Sequence, residues 1–360
     1  EIAMKEIGIN MRRSPFTVKM TGGTNGDVAG NALRYLFERF PKAKILSIVD
    51  RAGGVYDPKG LNHRALKKLL MKEDVVYMNP KALHPGGFVI FRTETRQIQL
   101  KTLHRKLVRT DAAIAEQWIT TDEFHREIEN LIFDVSADLF LPCGGRPETI
   151  DGTNWQKLFS QNAIPTARVI VEGANAFITP MARQEIQKRG VVILRDASAN
   201  KCGVIASSYE IIANLLMTER EFLDNKEAYV KSVMEILDKR VEEEANLIFQ
   251  RFHESEGKKL YTEISKEISQ DISDYYSQLI TFFQQQPDLL TQALFRKVLL
   301  HHLPGFIRES PRYVRRVKRL PPKIKLAIIA KEIASFIVYH GGWESPLESK
   351  LVRFVKENFS

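Results

Sequence analysis

The chain has 360 residues, 44% of them hydrophobic, which is enough for two packed domains or one large domain with an extension. No run of about 18 apolar residues occurs, and the opening Glu-Ile-Ala-Met-Lys-Glu lacks the basic-then-apolar order of a secretion signal, so a soluble, cytoplasmic, globular protein with no membrane partner is expected. Two cysteines, Cys143 and Cys202, and eight histidines without His-x-x-x-His or Cys-x-x-Cys spacing argue against a disulfide framework and a metal site, while 53 Lys and Arg against 44 Asp and Glu give a net charge of +9 that suits anionic partners without choosing among them.

In chain order, a short helix over residues 2–9 precedes a strand at 16–20. The glycine-rich turn 21–26 then opens a helix over 27–39, and a continuous apolar run at 45–50 reads as a second strand, of the kind buried between helices. Residues 51–58 read as a loop and 61–71 as a helix. Segment 74–120 reads as an insertion, with a turn at His84-Pro-Gly-Gly87 and short strands near 88–92. Helix resumes at 121–130 with Thr121 or Asp122 as cap, and strand 137–141 ends at the break Pro142-Cys-Gly-Gly-Arg-Pro147. Helix 152–160, strand 168–171, helix 180–189 and strand 191–194 follow. This alternation predicts an α/β fold, a Rossmann-like, doubly wound, mostly parallel sheet over residues 1–215.

After Asn200 helical spacing dominates, as in Val230, Val233, Leu237 and Val241, or Ile324, Ile328, Ile333 and Ile337 before Gly341-Gly342. A C-terminal all-helical domain is therefore expected over 216–360, with breaks at Pro287, Pro304, Pro311 and Pro321-Pro322. The basic run from Arg308 to Lys325 sets Arg312, Arg315, Arg316 and Arg319 on one helical face and Val314 and Val317 on another. That is the pattern of a solvated face over a packed one. No aromatic-interleaved platform accompanies it, so nucleic acid is not expected as a partner.

The turn Gly22-Gly-Thr-Asn-Gly26 admits two readings, an ordinary strand-to-helix turn or a pyrophosphate cradle. In the second, Gly22, Gly23 and Gly26 allow backbone close to phosphate, and Thr24 and Ala29 take the outer positions of G-x-G-x-x-G/A. Asn25, Asp27 and Val28 then belong to the cofactor site as well, with Asp27 placed to cap free amides. Asp50, 24 residues after Gly26, stands where such a unit keeps a carboxylate for ribose hydroxyls, and Arg51 beside it leaves the choice between a ribose hydroxyl and a 2′-phosphate open.

Four blocks, Met20-Thr-Gly-Gly-Thr-Asn-Gly-Asp27, Leu141-Pro-Cys-Gly-Gly-Arg-Pro-Glu148, Val169-Ile-Val-Glu-Gly-Ala-Asn-Ala-Phe-Ile-Thr-Pro180 and Asp196-Ala-Ser-Ala-Asn-Lys-Cys-Gly-Val-Ile-Ala-Ser-Ser-Tyr-Glu210, resemble segments of the NAD-dependent glutamate dehydrogenases, most closely their large-subunit class. The resemblance implies oxidative deamination of L-glutamate to 2-oxoglutarate and ammonia, with hydride passing to NAD, in a homo-oligomer. It implies that Cys143 and Gly144 lie in a cofactor loop, that Asn175 and Asn200 lie near the nicotinamide ribose and carboxamide, and that Ser207 binds the substrate's side-chain carboxylate. The family's substrate and acid-base lysines sit in Gly-Gly-x-Lys and lysine-bearing Pro-Ala-x-Asp segments, which this sequence lacks. No catalytic residue is therefore assigned, and the chain reads as a C-terminal piece that binds cofactor without turning over glutamate alone. Another amino-acid dehydrogenase of the superfamily, or a regulatory or assembly module, are the alternatives.

Overall fold

The computed structural model describes residues 1–341 and 347–359. The chain divides into two compact units, Glu1–Asn200 with Leu260–Thr262, and Lys201–Lys259 with Glu263–Ser360.

The first unit opens with α1 (Ile2–Glu6), shorter than the expected 2–9 because Gly8 turns the chain at φ +79°. It continues through β1 (Phe16–Thr21), α2 (Asp27–Arg39), β2 (Ala43–Val49), β3 (Gly53–Tyr56), α3 (His63–Leu69), β4 (Phe88–Ile98), β5 (Lys101–Arg109), β6 (Ile114–Thr120) and α4 (Thr121–Phe133). The last elements are β7 (Ala137–Pro142), β8 (Ala167–Val171), α5 (Pro180–Gln187), β9 (Val192–Leu194) and α6 (Asp196–Ala199). All nine strands join one sheet in the order β6-β5-β4-β3-β2-β1-β7-β8-β9. From β2 through β1, β7 and β8 to β9 every pair is parallel, as the doubly wound reading expects.

The other half of the sheet is antiparallel, from β2 through β3, β4 and β5 to β6. Residues 53–56, expected in a loop, form β3. Its glycines serve close packing, since a Cβ on Gly53 would lie 2.0 Å from the Ile90 carbonyl oxygen. The strand expected at 88–92 runs on to Ile98, and segment 74–120 extends the main sheet. Helix 152–160 is absent apart from a single 3₁₀ turn at Trp155–Leu158. Asp151 accepts from the Thr153 amide and Asn154 from the Asp151 amide, and these local bonds compete with the helical ladder. The cap of α4 is Thr120, the last residue of β6, in a capping box with Glu123, rather than Thr121 or Asp122.

Val18, Ile45, Phe140, Ile170 and Ile193 are fully buried in the parallel strands, and the last three share one core cluster with Phe124, Ile128 and Leu131 of α4 and with Phe177. A lysine side chain enters this core. Lys19 of β1 is fully buried, donates to Thr166 Oγ1 (3.0 Å) and to the Phe133 carbonyl at the end of α4 (3.5 Å), and lies over the Phe140 ring. Burial lowers its pKa to about 7.

The second unit is helical among its described residues: α7 (Lys201–Leu216), α8 (Glu219–Glu254), α9 (Tyr261–Gln285), α10 (Ala293–His302), α11 (Gly305–Arg308), α12 (Pro311–Val317), α13 (Pro322–His340) and α14 (Leu347–Asn358). Pro287 opens a 3₁₀ turn, Pro304 precedes α11, Pro311 begins α12, and Pro321-Pro322 open α13, so each proline sits where a missing N–H costs no helical bond. Gly341 at φ +71° ends α13, while Gly342, expected to share that stop, lies outside the described residues. In the basic run α12 covers Pro311–Val317, so Arg319 falls beyond the helix; Arg312, Arg315 and Arg319 are exposed and Val317 is buried, as a solvated face over a packed one requires, while Arg312 and Arg316 also pair with Glu221. Arg316, then the Thr218 amide, and more weakly Arg312 hold the Glu221 carboxyl down at about 2. No helix among the described residues is long and apolar enough to cross a membrane.

Candidate functional site

The parallel strand order reverses between β1 and β7: the chain steps from β1 to β2 on one side and from β7 to β8 and β9 on the other. Loops leaving the C-terminal ends of these two strands border a crevice, the place where such sheets bind ligands. The Cys143 amide donates to the Thr21 carbonyl (2.8 Å), and the Thr21 hydroxyl to the Gly144 carbonyl (2.5 Å). Gly22 has φ +104°, and a Cβ there would lie 2.9 Å from Cys143 C and from Gly144 N; a Cβ on Gly144 would lie 2.9 Å from Gly22 Cα. The two loop backbones therefore touch, and both positions require glycine.

Gly23 is confined by side chains alone, since a Cβ there would fall 2.7 Å from Asn25 Oδ1 and 3.3 Å from Asp50 Oδ2. Gly26 is the N-cap of α2, with no side chain to satisfy the first-turn amides. Asp27, expected as a cap, is the first helical residue; its side chain is exposed and makes no capping bond. This uncapped N-terminus, with its positive dipole end, suits an anion. Sequence reasoning missed Gly30, where a Cβ would meet the Thr24 carbonyl at 2.6 Å, so Gly30 as well as Ala29 lets the helix pack under the loop.

Asp50 follows β2 and is only 7% exposed. Its Oδ1 accepts from the Ala52 (2.8 Å) and Gly53 (3.0 Å) amides and its Oδ2 from the Val75 amide (2.8 Å). Burial raises its pKa, and those three N–H groups oppose the shift. Arg51 is 81% exposed, with Nε 3.5 Å from Asp74 Oδ1, and Asp74 also accepts from Asn25 Nδ2 (2.8 Å). Thr24 is buried, its hydroxyl donating to the Glu73 carbonyl and its own carbonyl accepting from the Met71 amide (2.9 Å). The stretch 71–75 thus clasps the glycine loop, and no periodicity in the sequence announces it.

Val28 and Cys143 meet at Gly173, whose Cβ would lie 3.0 Å from Val28 Cγ1 and 3.3 Å from Cys143 Sγ. Burial pushes the Cys143 thiol up to about 12, so it stays protonated and brings no charge to the crevice. Beyond β8 and β9 the structure joins two further candidates, Asn200 Nδ2 donating to Asn175 Oδ1 at 2.9 Å. Beneath them, sequence reasoning missed the support. Arg183 of α5 makes a bidentate pair with the fully buried Glu172 (2.6 and 2.7 Å) and reaches Asp196 at 3.4 Å, while Asp196 accepts from the Ala176 amide at 2.8 Å. Ser207 belongs to the second unit, exposed on α7, with no side-chain hydrogen bond among the described residues.

A crevice of about 570 Å³ follows this edge, lined by Thr21, Gly22, Asp50, Arg92, Gly144 and Phe177 among others. A larger groove of about 800 Å³ lies between α7 and α8 in the second unit, but it holds none of the glycine loops and we assign it no chemistry. Among the described residues no three His, Cys, Asp or Glu side chains are grouped to share a metal ion.

A parallel sheet that reverses beside touching glycine loops and an uncapped helix defines a Rossmann-like α/β protein. The profile of the Glutamate/Leucine/Phenylalanine/Valine dehydrogenase family matches residues 3–263, and the chain belongs to that family. Glutamate dehydrogenase 2 of Dictyostelium discoideum is 31% identical over 338 residues, which is 90% of this chain and 30% of that protein. The Schizosaccharomyces pombe protein named probable NAD-specific glutamate dehydrogenase is 28% identical over 340 residues, 91% of this chain and 28% of its own length. The solved hetero-hexameric glutamate dehydrogenase from Thermus thermophilus, in a leucine-bound form, aligns with 73% of this chain and 46% of its own at 17% identity and a TM-score of 0.43. The chain spans about 30% of the length of the curated relatives it matches.

Proposed function

We propose that this chain carries the dinucleotide site of an NAD-dependent glutamate dehydrogenase, which oxidatively deaminates L-glutamate to 2-oxoglutarate and ammonia. One observation carries the reading: Gly22 and Gly144 bring two backbones into contact at the sheet's reversal point, beside a helix N-terminus that no side chain caps. Bound NAD supplies the hydride acceptor. Gly22, Gly23, Thr24, Asn25 and Gly26, with the amides of Asp27 and Val28, hold the pyrophosphate, and Asp50 and Arg51 border the adenosine ribose. Cys143 and Gly144 form the opposite wall, and the Asn175–Asn200 pair orients the nicotinamide end without adding charge. Ser207 binds the substrate's side-chain carboxylate in the complete enzyme, which acts as a homo-oligomer in the cytoplasm, where the free thiols of Cys143 and Cys202 stay reduced.

Calorimetric titration with NAD and with NADP tests the reading. Saturable NAD binding, tighter than NADP binding, is expected. Gly26→Ala is the matching variant because Gly26 has an ordinary φ of −82° and its added Cβ meets only the loop, 3.2 Å from the Gly23 carbonyl oxygen. It should weaken NAD about tenfold, a loss of about 1.4 kcal/mol, and leave the melting temperature nearly unchanged. Equal NAD affinity in the variant and the parent chain would sink the site.

A further inference from the structure

Asp50 stands where a ribose-binding carboxylate is expected, yet its own backbone occupies it. A carboxylate has roughly four acceptor sites, and three of those on Asp50 are taken by the Ala52, Gly53 and Val75 amides in a pocket that leaves the residue 7% exposed. Its bond to Val75 is an anchor that fixes the neighbouring residue, Asp74, on the flank of the glycine loop. Two further bonds lock the same register, Met71 amide to Thr24 carbonyl and Thr24 hydroxyl to Glu73 carbonyl.

Asp74 also behaves unlike a residue in its position. It is the N-cap of the 3₁₀ turn Val75–Tyr77, where an aspartate ordinarily accepts from the following amides, but its side chain makes no such bond. It turns to the loop instead. Oδ1 accepts from Asn25 Nδ2 at 2.8 Å and lies 3.5 Å from Arg51 Nε, and Oδ2 makes no hydrogen bond among the described residues. The side chain is 18% exposed, so it is held in place while still reaching solvent, beside Arg51, which lines the crevice.

We propose that Asp74 is the specificity-determining carboxylate of the cofactor site. Resting on the dinucleotide reading above, this assigns to Asp74 the charge that accepts a ribose hydroxyl and repels a 2′-phosphate, and to Asp50 the anchoring of Asp74. Arg51, the cation that could seat a 2′-phosphate, lies 3.5 Å from Asp74, whose charge competes for it. Replacing Asp74 by asparagine removes the negative charge and releases Arg51 while keeping an acceptor oxygen for Asn25, so the clasp survives.

The test is calorimetric titration of the chain and of its Asp74→Asn and Asp50→Asn variants with NAD and NADP, with melting temperatures recorded alongside. Asp74→Asn should narrow the preference for NAD over NADP by about tenfold at an unchanged melting temperature. Asp50→Asn should lower the melting temperature and weaken both dinucleotides by similar factors. NAD binding with an unchanged preference in Asp74→Asn, or a shift of preference confined to Asp50→Asn, would overturn the assignment. Failure of the unaltered chain to bind either dinucleotide would overturn the cofactor reading and this assignment with it.

Discussion

The two halves of the sheet treat charge differently. In β1, β2 and β7 fifteen of nineteen residues are buried, whereas β5 and β6 are mostly half-buried and hold one buried residue between them. Charges follow the same division. Arg183 and Glu172, at the parallel end, form a bidentate pair with Glu172 fully buried and Arg183 nearly so. Arg105 of β5 bridges Glu94 at 2.6 Å and Glu116 at 2.7 Å across neighbouring strands, but the three side chains are 33%, 41% and 43% exposed. Nearly equal distances therefore carry unequal energies, because water competes for one set and not for the other.

Substitutions can break that contrast or sharpen it. The largest effect is expected at Arg183→Ala, which strands Glu172 without a partner and should cost about 3–5 kcal/mol in chemical denaturation. A loss below about 1 kcal/mol would show that water reaches the pair. Lys19 gives the next effect. Its folded-state pKa is about 7, against 10.5 when unperturbed. Between these values the unfolded chain binds the proton and the folded chain does not, so stability should rise with pH, by at most about 1.4 kcal/mol per unit. Lys19→Met should flatten that slope and raise stability near pH 6, and an unaltered slope would place the titration elsewhere. The smallest effect is expected at Arg105→Ala, under about 1 kcal/mol and reduced further by salt. A loss as large as that of Arg183→Ala would erase the distinction between the halves.

The same division governs what the sequence reveals. Strands such as Ile45–Val49, interrupted only by Ser47, and Val169–Val171 are apolar runs because both faces are covered, and they are legible for that reason. Lys101–Arg109 mixes charged and aliphatic residues without a regular alternation, and its strand character rests on cross-strand partners such as Glu116 of β6. Gly53 and Gly54 read as loop residues because glycine marks turns more often than close strand packing. Gly22 and Gly26 can be singled out from their spacing within one strand-loop-helix unit, which is local information, whereas Asn175 and Asn200 are singled out only by the resemblance of their segments to the family. Neither route reaches Asp74 or Arg183. Lys72-Glu73-Asp74 looks like any solvated charge cluster, and only the return of residues 71–75 against the glycine loop gives it a role. The helical unit shows a parallel case: Glu332 lies on an apolar stretch of α13, yet it gathers Arg240, His301 and His302 at 2.6–3.0 Å.

The contact between Gly22 and Gly144 also bears on the genetics of this fold. A mutation that clashes with a side chain can be rescued by shrinking that side chain at a second position. Here the obstacles are main-chain atoms, Cys143 C, Gly144 N and Gly22 Cα, present whatever residue is encoded. Trimming Ala29, the one side chain in the way of Gly22, would still leave the backbone clash. Suppressor screens on a Gly22 mutant should return reversions to glycine in place of compensating changes, and the two loops are bound to change together or not at all.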